Sequence, residues 1–348
     1  MSIDSGTSES SAPPWKGVRM VHAIDPEQHN IFRSIAVSSE SLKANKKYFG
    51  VQCTQCQTEM KKLFNCAKCK GVWYCSKECQ KKNWSNHKPT CHADERSSGI
   101  FKLVQMFSVN PVLMGYLKVG IVFECGLLDN PRIGFDTPFL ARIEIAIEPS
   151  DVLNFGGLYV NDPTVEEKLE GMLQVNAITA WQSPSMRAPL TPKRLNTWRE
   201  ARARCNAEGF AEDPVGLIEF VGRRRSADSG NSMTAELHIP TMTLAVAMTR
   251  APFTAVSAFT GIRTEKPLSA ASCLEFINSH IRADKQNQLR LRTEMTEQDK
   301  EVIRAAGRDE DTFSTRILKE KMQREQLYAG CLQLTLRKEN TGTSHHAS

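Results

Sequence analysis

The chain lacks the short motifs that announce the commonest catalytic sites. It has no GxxxxGK[ST] phosphate loop, no GxGxxG turn, no GxSxG nucleophile turn and no HExxH helix. It also lacks an unbroken apolar run of spanning length. The most hydrophobic stretch, Ile100 to Leu128, is interrupted by Lys102, Pro111, Lys118 and Glu124. A buried helix broken near Asn110-Pro111 is therefore expected there, and no membrane span. The lysine-bearing stretch between Val51 and His92 has no arginine-rich or base-stacking character, and the net charge is only +6, so nucleic acid is not an expected partner. Nothing at the N-terminus resembles a secretory signal, because residues 1–14 are Ser-rich, acidic and poor in apolar side chains. That excludes a disulfide framework and points to an intracellular setting, cytoplasmic or nuclear.

What the chain does have is cysteine. Of its eleven cysteines, seven fall with one histidine between Cys53 and Cys91, in four ordered pairs. The pairs are Cys53-x2-Cys56, Cys66-x2-Cys69, Cys75-x3-Cys79 and His87-x3-Cys91. Each is short enough to close on one tetrahedral ion, and thiolate plus imidazole is the donor set of structural zinc. The two early pairs read as knuckle turns; in the two later ones the ligands lie four apart, a spacing that would put both on one helix face. A redox site would need one reactive CxxC, and a catalytic zinc would keep a position open for water. Here eight protein ligands fill two ions.

Size and charge agree with structural metals. Around these ligands the apolar content is thin, comprising Met60, Leu63, Phe64, Val72, Trp73, Tyr74 and Trp84. A module of about forty residues rarely holds itself together by such a core. Structural zinc contributes on the order of 10 kcal/mol per site, so the module is expected to fold with zinc and to be disordered without it. Eight lysines stand against Glu59 and Glu78 between Val51 and His92. Seven thiolates and two zinc ions reduce that local excess from +6 to about +3, which suits a solvated face.

Spacing alone leaves open whether the pairs form two separate beads or an interlaced unit. The residues Tyr74-Cys75-Ser76, Cys79-Gln80, Trp84, His87-Lys88 and Cys91 resemble the MYND-type zinc finger. That resemblance implies a cross-brace, with Cys53, Cys56, Cys75 and Cys79 on the first zinc and Cys66, Cys69, His87 and Cys91 on the second. His92 is a conceivable substitute ligand. MYND fingers that bind do so by capturing short proline-containing peptides, and the groove positions carried over are Gln80 and Trp84. Where a peptide-binding member has serine between the second pair, this chain has Ala67. The implied role is a protein–protein interaction adaptor. The alternative is an enzyme of unrecognised family with the finger as a structural annex. A SET/MYND-type methyltransferase is disfavoured, since its Asn-His-Ser-Cys type segment and later cysteine cluster do not appear after His92. The layout also resembles fungal proteins that set a MYND finger against a long domain without assigned activity.

The remainder reads as α+β. With 348 residues, 40% of them hydrophobic, about two domains are expected. The division is a disordered stretch at 1–14, a lead segment at 15–50, the finger at 51–92, a larger mixed α+β domain at 100–338 and a disordered tail at 339–348. In the lead segment, Trp15–Ala23 and Ile31–Val37 could be strands packing on the large domain. Phe139 to Glu148 alternates apolar with Arg142, Glu144 and Glu148, the clearest strand pattern in the chain. Weaker strand patterns occur at 173–181, 215–221, 234–239 and 331–336, helical ones at 165–173, 192–205, 270–284, 296–306 and 312–328, and loops at 154–163, 182–190 and 223–231. The helices at 192 and 296 carry start signals. Outside the finger, Cys125, Cys205, Cys273 and Cys331 read as core residues, and His238 with Glu236 as a polar pair on one strand face.

Overall fold

The protein was analysed as a computed structural model that describes residues 32–48, 51–56, 59–60, 64–68, 72–88, 91, 97–181, 190–222, 232–256, 263–329 and 331. The expectations for 1–14, 15–23, 223–231, 332–336 and 339–348, and nearly all of the 182–190 loop, lie outside those residues.

In chain order, helix α1 (Ser39–Tyr48) precedes the strands β1 (Val51–Gln52), β2 (Glu59–Met60), β3 (Phe64–Asn65) and β4 (Trp73–Tyr74) and helix α2 (Lys77–His87). The larger part follows with α3 (Ser97–Ser108), α4 (Pro111–Glu124), β5 (Leu140–Pro149), α5 (Val152–Tyr159), β6 (Glu170–Ala180), α6 (Pro192–Ala207), β7 (Val215–Gly222) and β8 (Ser232–His238). It ends with α7 (Thr241–Thr249), β9 (Phe253–Val256), β10 (Arg263–Lys266), α8 (Ala270–Ala283), β11 (Arg292–Glu294), α9 (Glu297–Gly307), α10 (Phe313–Arg324) and a 3-10 turn at Gln326–Tyr328.

The strongly alternating segment became β5, the centre of a five-stranded sheet ordered β11-β6-β5-β7-β8. β5 runs antiparallel to β6, with a bulge between Glu144 and Ile145, and parallel to β7. Helices cover the sheet on both faces. The main core gathers Ile143, Ile147, Met172, Ile218, Leu274, Ile303 and Leu318, while a second cluster seats Trp198 and Ala201 of α6 against Leu140, Val215 and Leu217. The indole of Trp198 donates to the Val215 carbonyl at 2.7 Å. With both faces covered, the polar side of β5 is buried too. Glu144 and Glu148 are 7% and 1% exposed, and Glu148 is affordable there because Lys321 and Arg282 pair with it at 2.7 Å.

The break expected at Asn110-Pro111 is present. The Asn110 side chain accepts from the amides of Val112 and Leu113, Pro111 opens α4, and the two helices meet at 83°. Among the described residues no single helix is long and apolar enough to cross a membrane.

Several local expectations are corrected. The 154–163 loop is largely helix α5, capped by Asp151, whose carboxylate accepts from the Leu153 amide at 2.9 Å. Gly157 in it serves close approach, since a Cβ would stand 2.6 Å from Val165. The helix expected at 165–173 is absent; strand β6 begins at Glu170 instead. Residues 32–35 are helical where a strand is expected over 31–37, and Cys331 is helical where the 331–336 strand would begin. Helix α7 and the β9–β10 hairpin carried no pattern that the sequence reading used.

One consequence matters for the finger. Phe32 and Leu42 belong to the main core, and three hydrogen bonds fasten their segment to the larger part. Ser39 donates to the Gln288 carbonyl at 2.9 Å, Gln288 to the Val37 carbonyl at 2.9 Å and Asn45 to the Val109 carbonyl at 3.0 Å. The finger is thus an insertion between α1 and α3, both of which are held by one body.

Candidate metal centre

Two short antiparallel strand pairs and one helix build the centre. β1 pairs with β2 and β3 with β4, both antiparallel. The two units are stitched together, because Thr54 donates its amide to the Trp73 carbonyl at 2.8 Å and Trp73 donates back to the Thr54 hydroxyl at 3.3 Å. Helix α2 starts at Ser76, whose hydroxyl accepts from the Cys79 amide at 3.2 Å. The later pairs do not each lie along a helix face, as the spacing suggested. Cys75 precedes the helix and Cys79 sits in its first turn, while His87 is its last residue and Cys91 lies beyond it. Helix α2 is therefore a strut of about 12 Å between Cys79 and His87, and each of its ends belongs to a different group.

The groups are interlaced. Cys53, Cys56, Cys75 and Cys79 bring their sulfurs within 4.8 Å of one another, as do Cys66, His87 and Cys91 with their ligand atoms. Cys75 Sγ lies 3.4 Å from Cys79 Sγ and 3.5 Å from Cys56 Sγ, and Cys66 Sγ lies 3.7 Å from Cys91 Sγ. Zinc–sulfur bonds of about 2.3 Å in a tetrahedron set sulfurs about 3.8 Å apart. The spacing thus fits a shared cation, and none of these cysteines is disulfide-bonded. Crowding has an electrostatic signature as well. Hydrogen bonding to Cys79, then to Cys56, pushes the Cys75 thiol up to about 12, so the cluster needs a cation to ionise fully. Two groups of this kind fit two zinc ions. Cys69, the expected eighth ligand, lies outside the described residues.

Other residues brace the centre. Tyr74 is 1% exposed, and its hydroxyl accepts from Asn83 Nδ2 at 2.9 Å, a buried bond that fixes α2 against β4. Asn83 was missed in the sequence, where nothing distinguishes it from a surface polar residue of α2. Gln80 and Trp84 stand one turn apart on α2; Gln80 is half-buried and Trp84 is 40% exposed, its ring set edge-on to His87 at 5.9 Å. From the larger part, Lys193 at the start of α6 reaches the Thr54 carbonyl at 3.4 Å.

The candidates outside the finger resolve into structure. Burial pushes the thiols of Cys125 and Cys273 up to about 12 and that of Cys331 to about 11, which makes them poor nucleophiles at neutral pH. His238 does not pair with Glu236. Its Nε2 lies 2.5 Å from Asp213 Oδ2, whereas Glu236 pairs with Arg204. Asp213 also accepts from the Thr241 amide at 2.8 Å. Burial alone would raise Asp213, but the hydrogen bonds from Thr241 and His238 hold it below the usual carboxylate range.

Comparison with known proteins finds two family models in the chain. The family model described as MYND finger matches residues 53–91, and the one described as a domain of unknown function, DUF8205, matches residues 97–328. Over the finger region the chain is similar to N-lysine methyltransferase SMYD2-B of Danio rerio, 52% identical over 44 residues, which is 13% of this chain and 10% of that protein. It is 34% identical to histone-lysine N-methyltransferase SMYD3 of Homo sapiens over 82 residues, 24% of this chain and 18% of that one. It is also 34% identical to human N-lysine methyltransferase SMYD2 over 87 residues, 25% and 19%. The chain thus spans under a fifth of the length of these relatives. No solved structure matches it.

Proposed function

Since this chain belongs to the DUF8205 family and carries a MYND finger inserted ahead of the domain that defines that family, we propose that it is an adaptor that docks short proline-containing peptides on the finger. Cys53, Cys56, Cys75 and Cys79 hold one zinc, and Cys66, Cys69, His87 and Cys91 hold the other. Both ions are structural, because protein side chains fill every position and none is left for a substrate. They hold α2 upright against the β3–β4 hairpin. An extended peptide then pairs its backbone with the hairpin and seats a proline on the indole of Trp84, beside Gln80.

The observation that carries this reading is Trp84, a large aromatic left 40% exposed on the strut between the two metal groups. The thiolate ligands need a reducing compartment, cytoplasm or nucleus. Similarity to the methyltransferases is confined to the finger region, so it lends the enzyme alternative no support.

The test is calorimetric titration of the zinc-loaded full chain with a proline-rich peptide library. Saturable binding is expected, and Trp84→Ala should weaken it about tenfold or more while leaving two zinc ions per chain. Absence of binding in the wild type, or binding indifferent to Trp84, would sink the adaptor reading.

A further inference from the structure

Helix α7 carries no charged side chain, and much of its apolar surface is uncovered. It packs on α4, and its buried Ala247 and half-buried Leu244 join the main core. Left to solvent are Met242, Met248 and Val246, which are 73%, 61% and 44% exposed. With Ala245 and Thr249 between them, these three span about 160° of the helix at 100° per residue. A clustered apolar face of this kind, built on adaptable methionine, marks a surface that something covers.

Its size says what kind of occupant fits. The face is about 13 Å long, well short of the roughly 800 Å² that each partner buries in a stable interface between separate chains. A segment of the same chain needs less area, because its tether removes most of the cost of association. Residues 15–23 are an apolar segment of that sort, with Trp15, Val18, Met20 and Val21. They are joined to Phe32 by the eight residues 24–31, which reach at most about 26–29 Å. Phe32 is anchored on α8, its ring 4.8 Å from that of His280. Helix α4 packs against both α8 and α7. Two helix spacings of about 10 Å therefore separate the anchor from the open face, within the reach of the connection. The other apolar stretch outside the described residues, Leu332 to Leu336, departs from a different place. It follows Tyr328, whose ring lies 4.7 Å from that of Phe155 in α5, and α5 packs on α9 and β5.

We propose that residues 15–23 of this same chain lie across the exposed face of α7. The Trp15 indole supplies the aromatic partner that methionine sulfur favours, while Lys16 and Arg19 keep their charges in water at the rim. This contact uses neither the zinc groups nor Trp84, so it stands apart from peptide capture by the finger.

The experiment is methyl NMR and hydrogen exchange on the zinc-loaded full chain, labelled at the methionine methyls. The ring current of Trp15 should shift the Met242 and Met248 methyl resonances, and Trp15→Leu should return them to the positions seen when residues 1–23 are deleted. Met242→Glu, at a site too exposed to challenge the fold, should speed exchange over residues 15–23 about tenfold or more and leave β5 and β6 protected. Both signals should be unchanged on dilution, as an intramolecular contact requires. Methyls indifferent to Trp15, or exchange over 15–23 indifferent to Met242, would overturn the assignment. So would signals lost on dilution, which would mean a second copy on α7, or methyls that respond only to deletion of residues 332–348.

Discussion

His280 is a residue whose protonation the fold opposes. Its ring lies between Phe32, at 4.8 Å, and Phe276, at 5.8 Å, and its Nε2 has no hydrogen-bond partner. Burial pushes it down to about 4, from 6.5 in the unfolded chain. Between these values the unfolded chain binds a proton that the folded one refuses. Stability is therefore full above pH 6.5, falls as pH drops toward 4 and levels off below that, a loss of about 3 kcal/mol. Urea unfolding of the wild type and His280→Leu across that range should show the variant lacking this share of the acid slope. Parallel slopes would mean that the imidazole is hydrated. The zinc ligands also take up protons on acidification, but they do so in both proteins and cancel in the difference.

Between elements, the strongest electrostatic tie joins β5 to α8, α10 and the turn after it. Glu148 receives Lys321 Nζ at 2.7 Å, Arg282 Nη2 at 2.7 Å and the Tyr328 hydroxyl at 2.5 Å. Burial would raise this carboxyl, but Lys321 and Arg282 hold it below the usual range, so the cluster is ionic. Lys321→Met should destabilise the protein by about 3–5 kcal/mol, because it strips a partner from a buried charge. By contrast, the pair of Arg316 with Asp311 at 3.3 Å is 63% and 80% exposed, and Arg316→Ala should cost about 0.5 kcal/mol or less. Thermal or urea unfolding of both variants checks the contrast; comparable losses would refute the burial argument. Neither Lys321 nor Glu148 could be picked out beforehand. An alternating strand pattern assigns Glu148 to a solvated face, and only the helices that cover that face make it a buried charge.

At the scale of the molecule, the finger is tethered at both ends to one body. Removing zinc with a chelator should unfold residues 51–91, since their apolar content cannot replace the metal. The larger part should persist. An unfolded insert is only a longer loop, and each doubling of loop length costs about 0.6 kcal/mol. Hydrogen exchange should therefore show fast amides over 51–91, retained protection in β5, β6 and β7, and α1 still docked through Leu42. Loss of protection in the central sheet would instead mean that finger and domain fold as one unit.

The sequence by itself determined the metal chemistry, and from its spaced pairs the structure gathers Cys53, Cys56, Cys75 and Cys79 in one group and Cys66, His87 and Cys91 in the other. Cysteine spacing is a local property, and a short pair can close on an ion whatever the rest of the chain does. The central strand, the helices opened by Thr191-Pro192 and Thr296, and the bend at Asn110-Pro111 were legible for the same reason, as their signals lie within a few residues of the feature. Helix α5 was not, because the purpose of Gly157 is set by Val165 packing against it. Tertiary structure alone decided the remaining points. It placed α1 in the core of the domain that follows the finger, gave His238 to Asp213 and buried Glu148 among cations. Each of these depends on contacts between residues distant along the chain, and their free energy exists only once the sheet and its helices have closed on one another.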